Sequence, residues 1–475
     1  MGPDVHIGVS NGALSHGLGL QSDQTYQIVL VATDRAGNEV KSSPHDMTTP
    51  ALPSDFPPVE AVQSEPDRME PGVTLFSVFR RTEDDPGNDF GLILAVNGAG
   101  EVVWYYRSDE RITDVRRLQN GNLLYTGGAK RDRMYEIDMF GHMVRQWHAA
   151  GVGGDAPPGS IPVATDTLHH EVYEMPSGNF LALSTEFRQL KDYPSSETDP
   201  TAPRETANVV GDVIVEFTPE GRTVRQWKLF DLLDPYRIGY DSLGTGFWQA
   251  TYGEVVEGDV RDWLHGNAII YDAQDDAAIV SLRHGDAVVK VDLSTGELRW
   301  ILGTPEGWRD PQRDRLLEPL GDLEWTFHQH APMLTPAGTL LLYDNGNYRV
   351  RPYDEKPPPS EHYSRVVEYA IDEEARTVSQ VWAYGGPGED SFFSNFGSDA
   401  DWLATTGNVL VTHAGLTADP AGTPDDTSDD VSWARIVEVT HTTPVEVLLD
   451  LVIREGPEVG WRVYRAERLT SLHPQ

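Results

Sequence analysis

One strand pattern returns along almost the whole chain. A Val-x-x-Trp run or a close relative appears in GEVVWYY at Trp104, GHMVRQW at Trp147, GRTVRQW at Trp227, GELRW at Trp300 and RTVSQVW at Trp382. A weaker sixth copy is PVEVLLDL near Leu449. A second element alternates with it: NGNLLYTG from Asn120, SGNFLALS from Ser177, DDAAIVSLR from Asp275, AGTLLLYD from Ala337 and TGNVLVTH from Thr406. Each unit therefore has room for about four short strands, and the tryptophans recur at roughly 70 residues, longer than the 40 to 50 of compact propeller repeats. The architecture implied is an all-β, six-bladed β-propeller; repeats this degenerate also fit five or seven blades. The C-terminal GWRVYRAERL reads as the strand that closes the ring against the first blade, VTLFSVF to VVWYYR.

Length alone, 475 residues, would allow two to four domains, but repeat architectures hold together well beyond the usual domain size. The 44 Gly and 33 Pro, set between short Val/Ile/Leu/Tyr/Trp runs, favour strands and turns, and no long helical period is present. The first fifty residues differ. LQSDQTYQIVLVATDRAGNEVKSSP alternates like two antiparallel strands around a DRAGN turn, similar to the end of an immunoglobulin or fibronectin type III sandwich. The expected organisation is a partial β-sandwich-like segment over 1–50, a linker over 51–64 that takes in most of TTPALPSDFPP, and the propeller over 65–475.

Seventy-five acidic against 37 basic residues give a formal charge of −38. Such a field repels nucleic acid and anionic membrane surfaces, and an anionic substrate would need a local cationic pocket. A solvated, solubilising surface accounts for the excess. No apolar run is long enough for a membrane span, and MGPDVHIGVSNGALSHGLGL lacks the charged start and apolar core of a signal peptide. Zero cysteines exclude disulfides, thiolate chemistry and Cys-ligated metals.

Counting back eight residues from the turn glycine reaches His330 from Gly338 and His170 from Gly178, so both take the same position in different units. The unit between them has a longer turn, and its matching residue is His265; Thr113 and Asp399 take the place in the second and last units. The strand carrying this position comes first in each unit and should line the central channel. A lone histidine there would be a packing residue; three in register, among 15 in the chain, point to a site. Hairpin geometry adds Arg283, nine residues after Gln274 as His265 lies nine before it, and by the same count Asp344 beside His330.

Two chemistries suit such a mouth. Three histidines can bind zinc or copper, although the permanent charge of Arg283 opposes a cation and no carboxylate shares the histidine position in those units. Alternatively, imidazole attacks an anionic group while Arg and other His hold its oxygens. A metal-dependent hydrolase or lactonase and a binding propeller without turnover both stay open on the residues alone.

The segments SDFPPVEAV, PGVTLFSVF, LHHEVYEMPSGN, DWLHGNAIIYDAQDDAAIVSLRHGDAVVKVD and HQHAPMLTPAGTLLLYDNG resemble the bacterial arylsulfotransferases, over about residues 52 to 470. These are six-bladed propellers that move sulfuryl groups between phenols without phosphoadenosine phosphosulfate. The resemblance implies a ping-pong aryl-sulfate sulfotransferase with no cofactor and no metal, using a small aryl sulfate donor and a phenolic acceptor. It implies that His330 is the nucleophile that becomes N-sulfated, and that His170, His265, Asn267 and Arg283 bind the sulfuryl group and move protons. His169 competes for the His170 role. It also implies a periplasmic or secreted location and a homodimer, whereas the disulfide of some periplasmic members cannot form in this chain. The aromatic insertion DLLDPYRIGYDSLGTGFWQATYGEV either covers the mouth or buries its own rings. His284, His328 and His413 are expected to be structural.

Overall fold

The computed structural model describes residues 18–34, 36–81, 90–152, 156–388, 391–419, 422–423, 425–427, 430–456 and 459–473. The paired repeats are consecutive antiparallel strands, and they assemble six sheets. Each Asn-Gly, Ser-Gly or Asp-containing turn separates the first strand of a blade from its second, and each Val-x-x-Trp run is the fourth. Blade 2, for example, runs through 112–117, 123–127, 133–137 and 143–149. Blade 3 runs through 169–174, 180–193, 205–217 and 223–228, and blade 4 through 266–272, 277–282, 287–292 and 298–303. Blade 5 has 330–334, 340–344, 365–372 and 377–385; blade 6 has 399–402, 409–418, 431–439 and 447–453.

Blade 1 is composite, as expected. Gly460–Leu469 pairs antiparallel with Val73–Arg81, which is followed by Gly91–Val96 and Val102–Ser108, so the end of the chain supplies the first strand of the first blade. The ring is latched a second time. Val59–Ser64, within the stretch expected to be linker, is a fifth, outer strand on blade 6, pairing antiparallel with Val447–Ile453. Its alternating apolar pattern is that of a strand, but its partner lies nearly the whole chain away, and a local reading could not supply it.

The repeated tryptophans act between blades. The indole N–H of Trp104 donates to the Met139 carbonyl at 2.7 Å, that of Trp147 to Pro219 at 2.8 Å, that of Trp300 to Glu373 at 2.9 Å and that of Trp382 to Thr442 at 3.3 Å. Each acceptor lies in the turn before the fourth strand of the following blade, so in blades 1, 2, 4 and 5 the amphipathic ring staples one sheet to the next. Blade 6 has Leu449 where the others have Trp, and there Ser64 of the latching strand pairs with it and donates to the Gly98 carbonyl of blade 1 at 2.6 Å.

Apolar side chains sit between neighbouring sheets, not at a single centre. Ile214 and Leu183 of blade 3 pack with Ile269 and Val280 of blade 4, and the same holds around the ring. Both faces of each sheet are therefore buried, which is why strands such as GLILAV and AAIVSL read as continuous apolar runs.

In the N-terminal segment, Thr25–Ile28 pairs with His45–Thr48 and Val31–Thr33 with Glu39–Lys41, around the DRAGN turn held by the Asp34 carboxylate. Residues 1–17 of the segment expected over 1–50, and with them most of the stretch lacking signal-peptide character, lie outside the described residues. Among the described residues, no helix is long and apolar enough to cross a membrane.

Candidate active site

Each histidine-bearing strand is the innermost of its sheet, and each begins with a bulge. The register shifts between His169 and Val172, between Gly266 and Ala268, and between His330 and Met333. Bulges re-aim side chains at the ends of strands. These ones hold non-glycine residues in the left-handed region, His170 at φ 55°, His265 at φ 52° and Ala331 at φ 53°, a conformation costing about 1 to 2 kcal/mol per residue. The strain turns the rings of His170, His265 and His330 into one cavity of about 760 Å³, which Arg283, His284, Phe247, Phe396 and Tyr464 also line.

His330 is the most firmly oriented of these rings. Nδ1 lies 2.9 Å from Asn345 Oδ1, and the Asn345 amide nitrogen donates to the carbonyls of Ser394 at 2.7 Å and Gly397 at 3.2 Å. Those bonds fix which end of the amide faces the ring, so Nδ1 carries the proton and Nε2 keeps its lone pair. Asn267 Nδ2 lies 3.0 Å from the same Nδ1 and donates one of its two hydrogens to the Gln329 carbonyl at 2.8 Å. Burial first, and then the charges of Arg283 and Arg465, hold the His330 pKa well below the usual imidazole range. The ring is neutral.

The other two expected histidines have different partners. His265 Nδ1 lies 2.6 Å from Asp262 Oδ2, and the indole of Trp248 donates to the other carboxylate oxygen at 2.7 Å. His170 Nδ1 lies 2.7 Å from His169 Nδ1, while His169 Nε2 lies 3.2 Å from the Ser184 carbonyl. A carbonyl only accepts, so His169 bears its proton on Nε2 and accepts from His170. Burial is again the main reason that both His170 and His265 sit well below the ordinary range, and it brings His169 down to about 3.

The hairpin count held for Arg283, whose backbone N–H donates to the His265 carbonyl at 3.2 Å. Its guanidinium reaches the Asn395 carbonyl at 3.2 Å and lies 3.6 Å from Asp241. The count failed for Asp344. The bulge sets Tyr343 opposite His330, and the Asp344 carboxylate is wholly buried against Arg349 at 3.0 Å and Arg365 at 2.9 Å. Its neighbour Asn345 takes the place beside His330. His169 lies behind His170, its ring wholly buried, lining a smaller cavity of about 100 Å³.

Sequence reasoning missed Asn345 and Asp262, and expected His284 and His328 to be structural. The signals were slight: Asp262 stands three residues before His265 in DWLH, and Asn345 follows the residue chosen. His284 and His328 sit in the same row of rings, His265 to His284 at 4.7 Å and His284 to His328 at 5.8 Å between centroids. His413 is structural, bonded to the Tyr343 hydroxyl at 2.8 Å. The aromatic insertion divides between its two expected fates. Phe247 stacks on His170 at 5.6 Å and meets His265 at 4.3 Å, under the Arg131 guanidinium, whereas Trp248, Tyr240 and Tyr252 are buried.

The model of the arylsulfotransferase (ASST) family matches residues 59–462. The arylsulfate sulfotransferase AssT of Escherichia coli O6:H1 strain CFT073 is 30% identical over 307 residues, 57% of this chain and 47% of that protein. AssT of Lelliottia amnigena is 33% identical over 306 residues, 56% of this chain and 48% of that protein. The chain thus spans about half the length of the curated relatives it matches. Among solved structures, the periplasmic gluconolactonase of Pseudomonas aeruginosa overlaps loosely, with 14% identity and a TM-score of 0.37 over 93% of this chain and 99% of that one.

Proposed function

The chain belongs to the arylsulfotransferase family, and from that premise we propose that it moves a sulfuryl group from an aryl sulfate to a phenol through N-sulfated His330. The observation that carries this reading is the tautomer of His330. With Nδ1–H held by Asn345, the free lone pair is on Nε2, in a cavity shared with Arg283, His170 and His265. A neutral buried imidazole is a competent nucleophile, and one guanidinium beside it offsets the charge of the sulfate.

In the first half-reaction the Nε2 lone pair forms the N–S bond as the S–O bond to the aryl group breaks. The departing phenolate takes a proton from a histidine that the anionic donor, once bound beside it, holds as its imidazolium. In the second, an acceptor phenol gives its proton to that histidine, its oxygen bonds to sulfur, and the N–S bond breaks to restore His330. Of the two candidates, His265 suits the proton role better, because the Asp262 carboxylate against its Nδ1 stabilises the imidazolium. The neutral imidazole of His169 gives His170 much less of that support. His170, Asn267 and Arg283 are then the groups that hold the sulfuryl oxygens and His330. Phe247 offers an apolar face for the aryl ring. The periplasmic or secreted location and the homodimer belong to the same reading, on family likeness alone.

Release of nitrophenol from p-nitrophenyl sulfate, in chelator and with or without added phenol, tests the reaction. Phenol-stimulated release that vanishes in His330→Ala, together with one sulfuryl group on the His330 peptide after a donor-only quench, is the expected result. Loss of turnover on chelation, or equal activity in the two proteins, would favour the metal-dependent hydrolase instead.

A further inference from the structure

Beside the sulfuryl pocket, the same rim holds a second convergence of donor atoms. We propose that Asp241, His284 and His328 form a binding site for a divalent transition-metal ion, with zinc as the best fit. Three separate segments supply the residues: Asp241 comes from the insertion after blade 3, His284 follows the second strand of blade 4, and His328 precedes the first strand of blade 5. One ligand atom from each lies within 4.8 Å of the others.

Both imidazoles are set up as ligands are. His328 Nδ1 lies 3.1 Å from Asp286 Oδ1, and Asp286 is itself held by Arg351 at 2.6 Å. His284 Nδ1 donates to the Asp262 backbone carbonyl at 2.9 Å. A metal-binding histidine characteristically gives its other ring N–H to a carboxylate or a carbonyl, which fixes the ring and leaves the second nitrogen's lone pair for the metal. Among the described residues His328 Nε2 is buried with no hydrogen-bond partner, and 3.3 Å from it stands Asp241 Oδ2. A lone pair facing a carboxylate is repulsive, and a cation between them removes the repulsion.

Two nitrogens and one carboxylate oxygen suit zinc, with a position left open to the cavity, and do not suit calcium or magnesium, which want oxygen shells. Arg283, 3.6 Å from Asp241, opposes the ion and limits its affinity. Bound metal would tie the insertion that carries Phe247 to blades 4 and 5. The competing arrangement puts a proton on His328 Nε2 instead, making an imidazolium between Asp241 and Asp286.

The test is zinc binding by the full chain after chelator treatment and dialysis, by calorimetric titration with zinc chloride and by metal content. One zinc per chain is expected. Asp241→Asn and His284→Gln should each weaken binding at least tenfold, while the remote His142→Ala leaves it unchanged; a thermal melt checks that each variant is folded. X-ray absorption of the cobalt-loaded wild type should show two imidazole ligands, a readout that needs no variant. Absence of stoichiometric zinc, or undiminished binding by folded Asp241→Asn, would overturn the site in favour of the proton. Nitrophenol release by the metal-free protein is scored separately, so sulfuryl transfer and metal binding can fail independently.

Discussion

The two halves of the ring bury titratable groups around the same channel and use them oppositely. Blades 3, 4 and 5 supply the imidazoles. Blades 1, 2 and 6 supply charges: Arg116 and Asp114 from blade 2, Arg465 and Glu467 from the closing strand, Asp399 and Asp401 from blade 6, with Glu171 reaching in beside His170. Glu171 accepts from Arg116 at 3.0 Å and forms an ion pair with the Arg465 guanidinium at 2.6 Å. Burial acts on both halves. An imidazole responds by discarding its proton, which is what a nucleophile needs. A carboxylate responds by keeping one, and burial pushes Asp399 up to about 7 and Asp114 and Asp401 to about 6, with like-charged neighbours adding and the two guanidiniums opposing. The halves are coupled, since Arg465 donates to the Asn267 carbonyl at 3.4 Å and its charge helps keep His330 neutral.

If the imidazole half does the chemistry, His330→Ala should cut transfer by about four orders of magnitude or more, the scale set by loss of a nucleophile. Steady-state nitrophenol release measures it. Asp262→Asn should cost about 100-fold. That loss should shrink for donors whose phenols are more acidic, because a better leaving group depends less on the proton from His265; a loss independent of the leaving group would remove Asp262 and His265 from the proton role. Phe247→Ala should raise the donor KM about tenfold with kcat nearly kept, as expected when a contact serves ground and transition states alike.

The charged half should answer to pH through stability. Asp399 binds its proton more tightly folded than unfolded, so the stability it contributes is present below about pH 4 and lost as pH rises through about 7. Asp399→Asn removes that dependence. Its melting temperature relative to wild type should rise from pH 5 to pH 8, by about a few degrees in a chain of this size. Parallel melting curves across that range would mean that Arg116 and Arg465 already hold Asp399 ionised.

Fold and site were legible to different depths. The turn glycines, the alternation within strands and the tryptophans lie within a few residues of what they organise, so strand order followed from the repeats, which favoured six blades while leaving five or seven open. Arg283 was placed beside His265 for the same reason, across a single hairpin. The count to Asp344 crossed a bulge, and one extra residue in the inner strand was enough to substitute Asn345. The linker reading of 51–64 failed because Val59–Ser64 has a partner only when the ring closes.

What the amino-acid sequence determined by itself is therefore the repeating four-stranded unit, the inner-strand histidines and the absence of thiol chemistry, all set by local period and residue type. Tertiary structure alone decided which nitrogen of His330 is free, which histidine faces a carboxylate, and that Asp241, His284 and His328 meet at one rim. Those outcomes depend on bulged backbone and on contacts between blades, where a displacement of one residue exchanges one partner for another while leaving the strand pattern unchanged.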